Sequence, residues 1–163
     1  MIEPPNKKEI GEFLRLGLSL GAFDYSAAIQ WADSVLLMED TPDIQIVEVS
    51  LSGGGGLDRT ISCLGDIRGA ARRDMAAKLL LAYCGRKIRT KEWTDDRFSG
   101  LWLGIIKLSG EISQDLECAL MKLDEDLWLA EEGVYGTVEE AIKAIREFLN
   151  SFEEYEQWLP AQV

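Results

Sequence analysis

Apolar side chains recur every three or four residues along most of the chain, and residues that favour helix starts precede many of these runs. Asn6 followed by Glu9 has the pattern of a helix cap with an acid at the third position, and Thr137 followed by Glu140 repeats it. Amphipathic helices bury their apolar faces against one another. The spacing therefore predicts an all-α, single-domain bundle of about seven or eight short antiparallel helices over residues 1–163.

Two adjoining stretches interrupt this pattern. Residues 44–51 carry β-branched side chains in partial alternation, which favours a strand, but Thr41-Pro42-Asp43 before them supplies a cap, a proline for the first helical position and a first-turn acid. We expect a short helix there, with a strand as the alternative. The run from Gly53 to Gly56 follows, and the entropy cost of ordering four glycines predicts a flexible loop over residues 52–57.

The glycine run lacks the context of a phosphate-binding loop. Such a loop needs a Lys and a Ser or Thr after its last glycine and a strand before it, whereas Leu57-Asp58 follows here. Further along, we expect Gly85 to close a helix that begins near Ala70. Residues 86–91 would then form a basic connection.

No histidine occurs in the sequence, which removes the commonest general base, the commonest metal ligand and every Ser-His or Cys-His nucleophile. Cys63, Cys84 and Cys118 are odd in number and lack CxxC spacing, so we expect reduced, mostly buried thiols. The acidic residues match neither an EF-hand nor a di-iron motif. We expect no enzymatic activity, no catalytic residue, no cofactor and no metal.

Charge is distributed unevenly along the chain. Residues 111–163 hold 14 acidic and three basic side chains, a net charge of −11, whereas residues 1–110 have a net charge of −1. Residues 68–91 hold eight Lys or Arg and one acid, Asp74, and we expect these cations to pair with acids elsewhere in the fold. A total charge of −12 argues against nucleic acid as a partner. Short apolar runs and an N-terminus without a signal pattern predict a cytoplasmic protein without a membrane span.

Acids on either side of the turn from Gly133 to Gly136 form the predicted contact surface for a protein partner. A rigid helical face of strongly negative charge would be steered quickly to a basic cleft, such as that of a toxin that attacks nucleic acid. Tryptophans are expected in the core, with Trp93 and Trp158, near helix ends, as the better candidates for an exposed anchor. The predicted partner-binding residues are Asp124, Glu125, Asp126, Glu131, Glu132, Glu139 and Glu140.

Two groups of short motifs, one in each half of the chain, have a familiar order. The first group is Trp31-Ala32-Asp33, Asp40-Thr41-Pro42-Asp43 and Val49-Ser50-Leu51-Ser52; the second is Asp124-Glu125-Asp126, Leu129-Ala130 and Gly133-Val134-Tyr135-Gly136. Together they cover about half of the chain, without the glycine run, and resemble small helical bacterial immunity proteins of polymorphic or contact-dependent toxin systems. The resemblance implies a cytoplasmic, stoichiometric inhibitor without catalytic residues. It would bind a toxin domain and block its active site or a neighbouring surface.

Two other functions stay open. A homo-oligomeric structural or regulatory helical protein, such as a homodimer, would show a symmetric apolar patch. A His-free enzyme with carboxylate chemistry would show a deep interhelical pocket lined by paired acids with shifted pKa values.

Overall fold

The fold consists of helices joined by short turns. The structure is a computed structural model that describes residues 2–108 and 112–163, without the side chains of residues 96, 98, 99, 102 and 108. These residues form eight α-helices and two 3₁₀ segments, with no strand among them. The predicted all-α fold is therefore confirmed. Within the same residues, no helix combines the length and the apolar character needed to cross a membrane.

The chain divides into two compact units, so the expectation of one domain over residues 1–163 stays a prediction. The first unit comprises the residues up to Ala76 together with Trp158–Val163, and the second comprises Ala77–Gln157. The first contains α1 (Lys7–Ser19), α2 (Tyr25–Leu37), α3 (Ile44–Ser50), the 3₁₀ segment Leu51–Gly55 and α4 (Gly56–Gly65). The second contains α5 (Met75–Arg89) apart from its first two residues, α6 (Asp95–Leu108), α7 (Gln114–Glu131), α8 (Val138–Asn150) and most of the 3₁₀ segment Glu153–Trp158.

Side-chain caps define the first three helix starts. The Asn6 side chain accepts a hydrogen bond from the Glu9 backbone N–H, and the Glu9 carboxylate accepts one from the Asn6 backbone N–H, which completes the predicted capping box. Asp24 caps α2 and Asp43 caps α3, each through one hydrogen bond. Pro42 therefore lies before α3, not at the first helical position that the sequence pattern predicts.

Residues after Asp43 stay helical through the glycine run. The expected short helix at residues 44–51 is confirmed, but the expected flexible loop at residues 52–57 is wrong, because a 3₁₀ segment and the start of α4 occupy it. Close packing explains Gly53, since a Cβ atom there would lie 3.0 Å from Ile29 Cδ1. The Ser52 side chain is buried, and its hydroxyl donates a 2.7 Å hydrogen bond to a carbonyl of α3.

A buried ion pair joins the start of α1 to the segment before α5. Glu9 is fully buried, and its carboxylate accepts hydrogen bonds from Arg72 at the backbone N–H (2.7 Å) and at the guanidinium Nε and Nη2 (2.8 Å each). Burial alone would raise the pKa of Glu9, but the Arg72 hydrogen bonds outweigh burial and hold that pKa below its usual value. The predicted pairing of the basic stretch with acids is thus confirmed at Arg72.

Helix α5 runs through Gly85 and ends at Arg89. The predicted start near Ala70, the predicted end at Gly85 and the predicted basic connection over residues 86–91 are wrong. Gly85 marks a close approach between helices, since a Cβ atom there would lie 3.4 Å from both Cβ and the carbonyl oxygen of Leu149 in α8. Glycine here serves packing, not helix termination.

The rest of the second unit follows the predicted apolar stripes. Helices α6 and α8 both pack against α7. Helical spacing in the sequence predicts that Phe98, Leu101, Trp102, Ile105 and Ile106 face inward on a helix that ends at Gly110. In α6, Leu101 and Ile105 are buried as predicted, whereas Gly110 and the side chains of Phe98 and Trp102 lie outside the described residues. The buried leucines of α7 are Leu116, Leu120 and Leu127.

Candidate interaction surface

The structure brings the predicted partner-binding acids to one end of the α7–α8 pair. Three of them lie in the second half of α7, two at its C-terminal end and two in the first turn of α8. The two helices pack against each other and a short turn connects them, so all seven lie within about two helical turns of that connection. These residues are Asp124, Glu125, Asp126, Glu131, Glu132, Glu139 and Glu140.

Two of these acids are engaged within the chain. Asp126 accepts a 2.6 Å hydrogen bond from Lys122 Nζ, and this bond raises the pKa of the lysine. Glu140 accepts hydrogen bonds from the backbone N–H (3.1 Å) and the hydroxyl (3.0 Å) of Thr137, as the predicted capping box requires. Four exposed acids have no hydrogen bond or ion pair to any residue that the structure describes. They are Glu125, Glu131, Glu132 and Glu139.

An exposed tryptophan lies among the acids. Trp128 is 56% exposed, and Val134 and Tyr135 in the adjoining turn are 67% and 75% exposed. On α7, the neighbours of Trp128 one turn before and one turn after are all acidic. Trp128 therefore has carboxylates on both sides. We call this region, together with the adjoining turn, the acidic turn surface. It comprises Asp124, Glu125, Trp128, Glu131, Glu132, Val134, Tyr135 and Glu139.

The sequence interpretation placed the exposed anchor at the wrong tryptophans. Trp93 is 7% exposed and packs edge-on against the Tyr83 ring, with the ring centroids 5.5 Å apart. Trp158 is half-buried, and its indole nitrogen is enclosed. Among the tryptophans whose side chains the structure describes, Trp128, expected in the core, is the exposed one. Its position directly after the buried stripe residue Leu127, with acids at helical spacing on both sides, was the sequence signal for a polar face.

Backbone hydrogen bonds hold the turn between α7 and α8. Gly133 has φ +68° and Gly136 has φ +71°, a left-handed conformation that favours glycine. The backbone N–H groups of Val134 and Tyr135 both donate to the carbonyl of Leu129, at 2.9 and 3.3 Å. The predicted turn is confirmed. Because hydrogen bonds already hold its backbone, the turn would lose little conformational entropy when Val134 and Tyr135 contact a partner.

A cavity of about 180 Å³ lies between α7 and α8 beside the turn. Ala130, Ala141 and Tyr135 contribute apolar surface, while Asp126 and Glu140 contribute carboxylates. These are the two acids already bonded to Lys122 and Thr137.

The three cysteines are free, and two of them are buried. Burial raises the pKa of the Cys63 and Cys84 thiols, and Cys118 is exposed, so the expectation of mostly buried free thiols is confirmed. Over residues 2–108 and 112–163, no three Cys, Asp or Glu side chains come together as a group that could hold a metal ion.

No family model, no curated protein and no solved structure matches the chain. The resemblance to immunity proteins therefore stays a prediction. A function has to be argued from the acidic turn surface itself.

Proposed function

We propose that the chain is a non-catalytic acidic interaction protein of the immunity type, which binds and neutralises a basic toxin domain through the acidic turn surface. The exposure of Trp128 carries this proposal. More than half of a large aromatic side chain faces solvent, with acidic residues one turn away on both sides. Covering such a ring stabilises a complex by about 25 cal/mol per Å² of apolar area, and tryptophan is among the residues that dominate binding energies.

The carboxylates around Trp128 define the chemistry of the partner. Glu131, Glu132 and Glu139 are not neutralised by any side chain in the described part of the protein, so their charge acts on what approaches from outside. Enzymes that cleave nucleic acid hold phosphates in cationic clefts. Such a cleft complements an acidic border in charge, and this complementarity speeds encounter and fixes orientation.

Co-expression with the product of the neighbouring gene, followed by co-purification and calorimetry, tests the proposal. Trp128→Ala is expected to raise Kd by about 30-fold or more, as for a central aromatic anchor. Leu103→Ala is the matched control, because Leu103 is a comparably exposed apolar side chain (50%) on α6 of the same unit. Wild-type affinity in the Trp128 variant would contradict binding through the acidic turn surface.

Paired charge reversals separate local charge from net charge. Glu131→Lys with Glu132→Lys is expected to slow association about tenfold at low salt and to flatten its salt dependence. Glu153→Lys with Glu154→Lys changes the net charge equally at another exposed pair of the same unit. Equal slowing by the two pairs would show attraction by total charge only, and would contradict recognition by the acidic turn surface.

A homo-oligomeric structural or regulatory protein is the second candidate, and one observation favours it. Leu37 and Met38 at the end of α2 are 88% and 87% exposed, and Ile44 and Leu51, which share a face at α3, are 68% and 76% exposed. Light scattering on the purified protein distinguishes the candidates. A dimer that Leu37→Ser with Leu51→Ser converts to monomer would support self-association; a monomeric wild type would exclude it.

A further inference from the structure

A cleft of about 260 Å³ lies between α5 and α8 of the second unit. Its floor is apolar, formed by Gly85, Ile88 and Leu149, and Arg89, Lys91 and Arg146 line it with positive charge. An engineered cavity of about 150 Å³ holds benzene, so this cleft has room for one ring or a short hydrocarbon chain. We propose that it binds a small carboxylate with an apolar body, such as an aryl or alkyl acid.

The charge of the lining departs from that of the chain. The lining holds three cations and no acid in a protein of net charge −12. Arg146 donates from Nε and Nη2 to Asp95 at 3.1 and 2.7 Å, and Arg89 donates to Asn150 at 3.1 Å and pairs with Glu156. These bonds fix both guanidinium groups in position, while each retains further N–H donors. Asp95 and Glu156 offset part of the positive charge, so the attraction for an anion depends most on Lys91.

Lys91 has an unusual backbone conformation. Its φ is +59°, the left-handed region that glycine normally occupies after a helix end, and its backbone N–H donates to the carbonyl of Ile88 at 3.1 Å. The ammonium group has no hydrogen bond or ion pair to any residue within the described ranges. Non-glycine residues in strained conformations cluster at functional sites. Glycine would adopt this conformation with less strain, whereas lysine places a cation at the cleft.

The ligand class follows from these features together. An apolar body would cover Ile88 and Leu149, and its carboxylate would accept hydrogen bonds from Lys91 and from the remaining guanidinium donors. The cleft is smaller than the roughly 300 Å³ at which sites for drug-sized ligands begin. This size favours an acid with a single ring or a short chain over a nucleotide.

NMR titration of the ¹⁵N-labelled protein with phenylacetate tests the proposal. We expect amide shifts confined to residues 85–91 and 146–150, with Kd on the order of 1 mM, as suits a ligand of this size. Two control compounds separate the two parts of the ligand: 2-phenylethanol lacks the charge and acetate lacks the ring. Both are expected to bind about tenfold more weakly or worse. Absence of shifts at about 10 mM phenylacetate, or shifts located elsewhere, would overturn the assignment.

Lys91→Gly separates ligand binding from folding. It removes the ammonium and suits the positive φ, so Tm is expected to stay unchanged or to rise while phenylacetate binds about tenfold more weakly. Arg146→Gln provides a second test that leaves the α5 terminus intact, and Lys143→Gln on α8 is the control for loss of one charge outside the cleft lining. Wild-type affinity in both the Lys91 and Arg146 variants would refute the site.

Discussion

A buried acid of the first unit and two exposed acids of the second unit differ sharply in their internal bonding. In the first, Glu9 is fully buried and accepts four hydrogen bonds, three from Arg72 and one from the backbone of Asn6. In the second, Glu131 and Glu132 are exposed and have no partner within the described part of the chain. Glu9, with its four internal hydrogen bonds, lies in the near-neutral part of the sequence. A stretch of the sequence that is rich in acids thus points to exposed carboxylates. It does not point to Glu9, whose importance for the fold follows from its internal hydrogen bonds.

Removing the charge of Glu9 is expected to have the largest effect. Glu9→Gln keeps the size of the side chain and its capping oxygen but removes the buried negative charge that pairs with the Arg72 guanidinium. Breaking a buried pair lowers the free energy of unfolding by about 3–5 kcal/mol, and the partial exposure of Arg72 brings the expected loss to about 2–3 kcal/mol. Urea denaturation measures it.

The matched substitution Glu131→Gln removes an exposed charge in the second unit. Its effect on the free energy of unfolding should stay within about 0.5 kcal/mol. Equal losses from the two glutamine variants would break the contrast between the buried and the exposed acids.

Acidification should lower the free energy of unfolding through Glu9. A carboxyl whose pKa is lowered by folding contributes stability that is complete above its unfolded value, about 4.3, and disappears as pH falls through the folded pKa. The difference in unfolding free energy between wild type and Glu9→Gln should therefore shrink below about pH 4. Denaturation series at neutral and acidic pH measure this difference. A difference that stays constant down to about pH 3 would assign the effect of the variant to packing instead of charge.

Local interactions made much of the fold predictable. The capping boxes at Asn6 and Thr137 involve residues three positions apart, so the sequence contains the whole interaction. Gly53 and Gly85 misled prediction because their neighbours, Ile29 and Leu149, are distant in the sequence. A glycine that permits close packing cannot be told from one that breaks a helix until the tertiary contact is known.

The candidate site was predicted in part for the same reason. Acids around Gly133 are visible as composition, and their convergence follows from one short turn. Helical spacing places acids on both sides of Trp128 and so predicts an exposed side chain. The frequent burial of aromatic residues favours the opposite prediction, a position in the core. The cleft between α5 and α8 was beyond sequence reasoning, because it depends on Lys91 adopting a positive φ and on Gly85 permitting close approach.

The substitution Trp128→Ala should have a small effect on folding and a large effect on binding. More than half of its side chain already faces solvent, and alanine suits the helix at least as well, so Trp128→Ala should change the free energy of unfolding by less than about 1 kcal/mol. Urea denaturation of the free protein measures this change in parallel with the binding assay. A loss above about 2 kcal/mol would show that the ring packs within the unit. Weakened binding would then report damage to the fold, and Trp128 would belong to the packed interior of the unit instead of the contact surface.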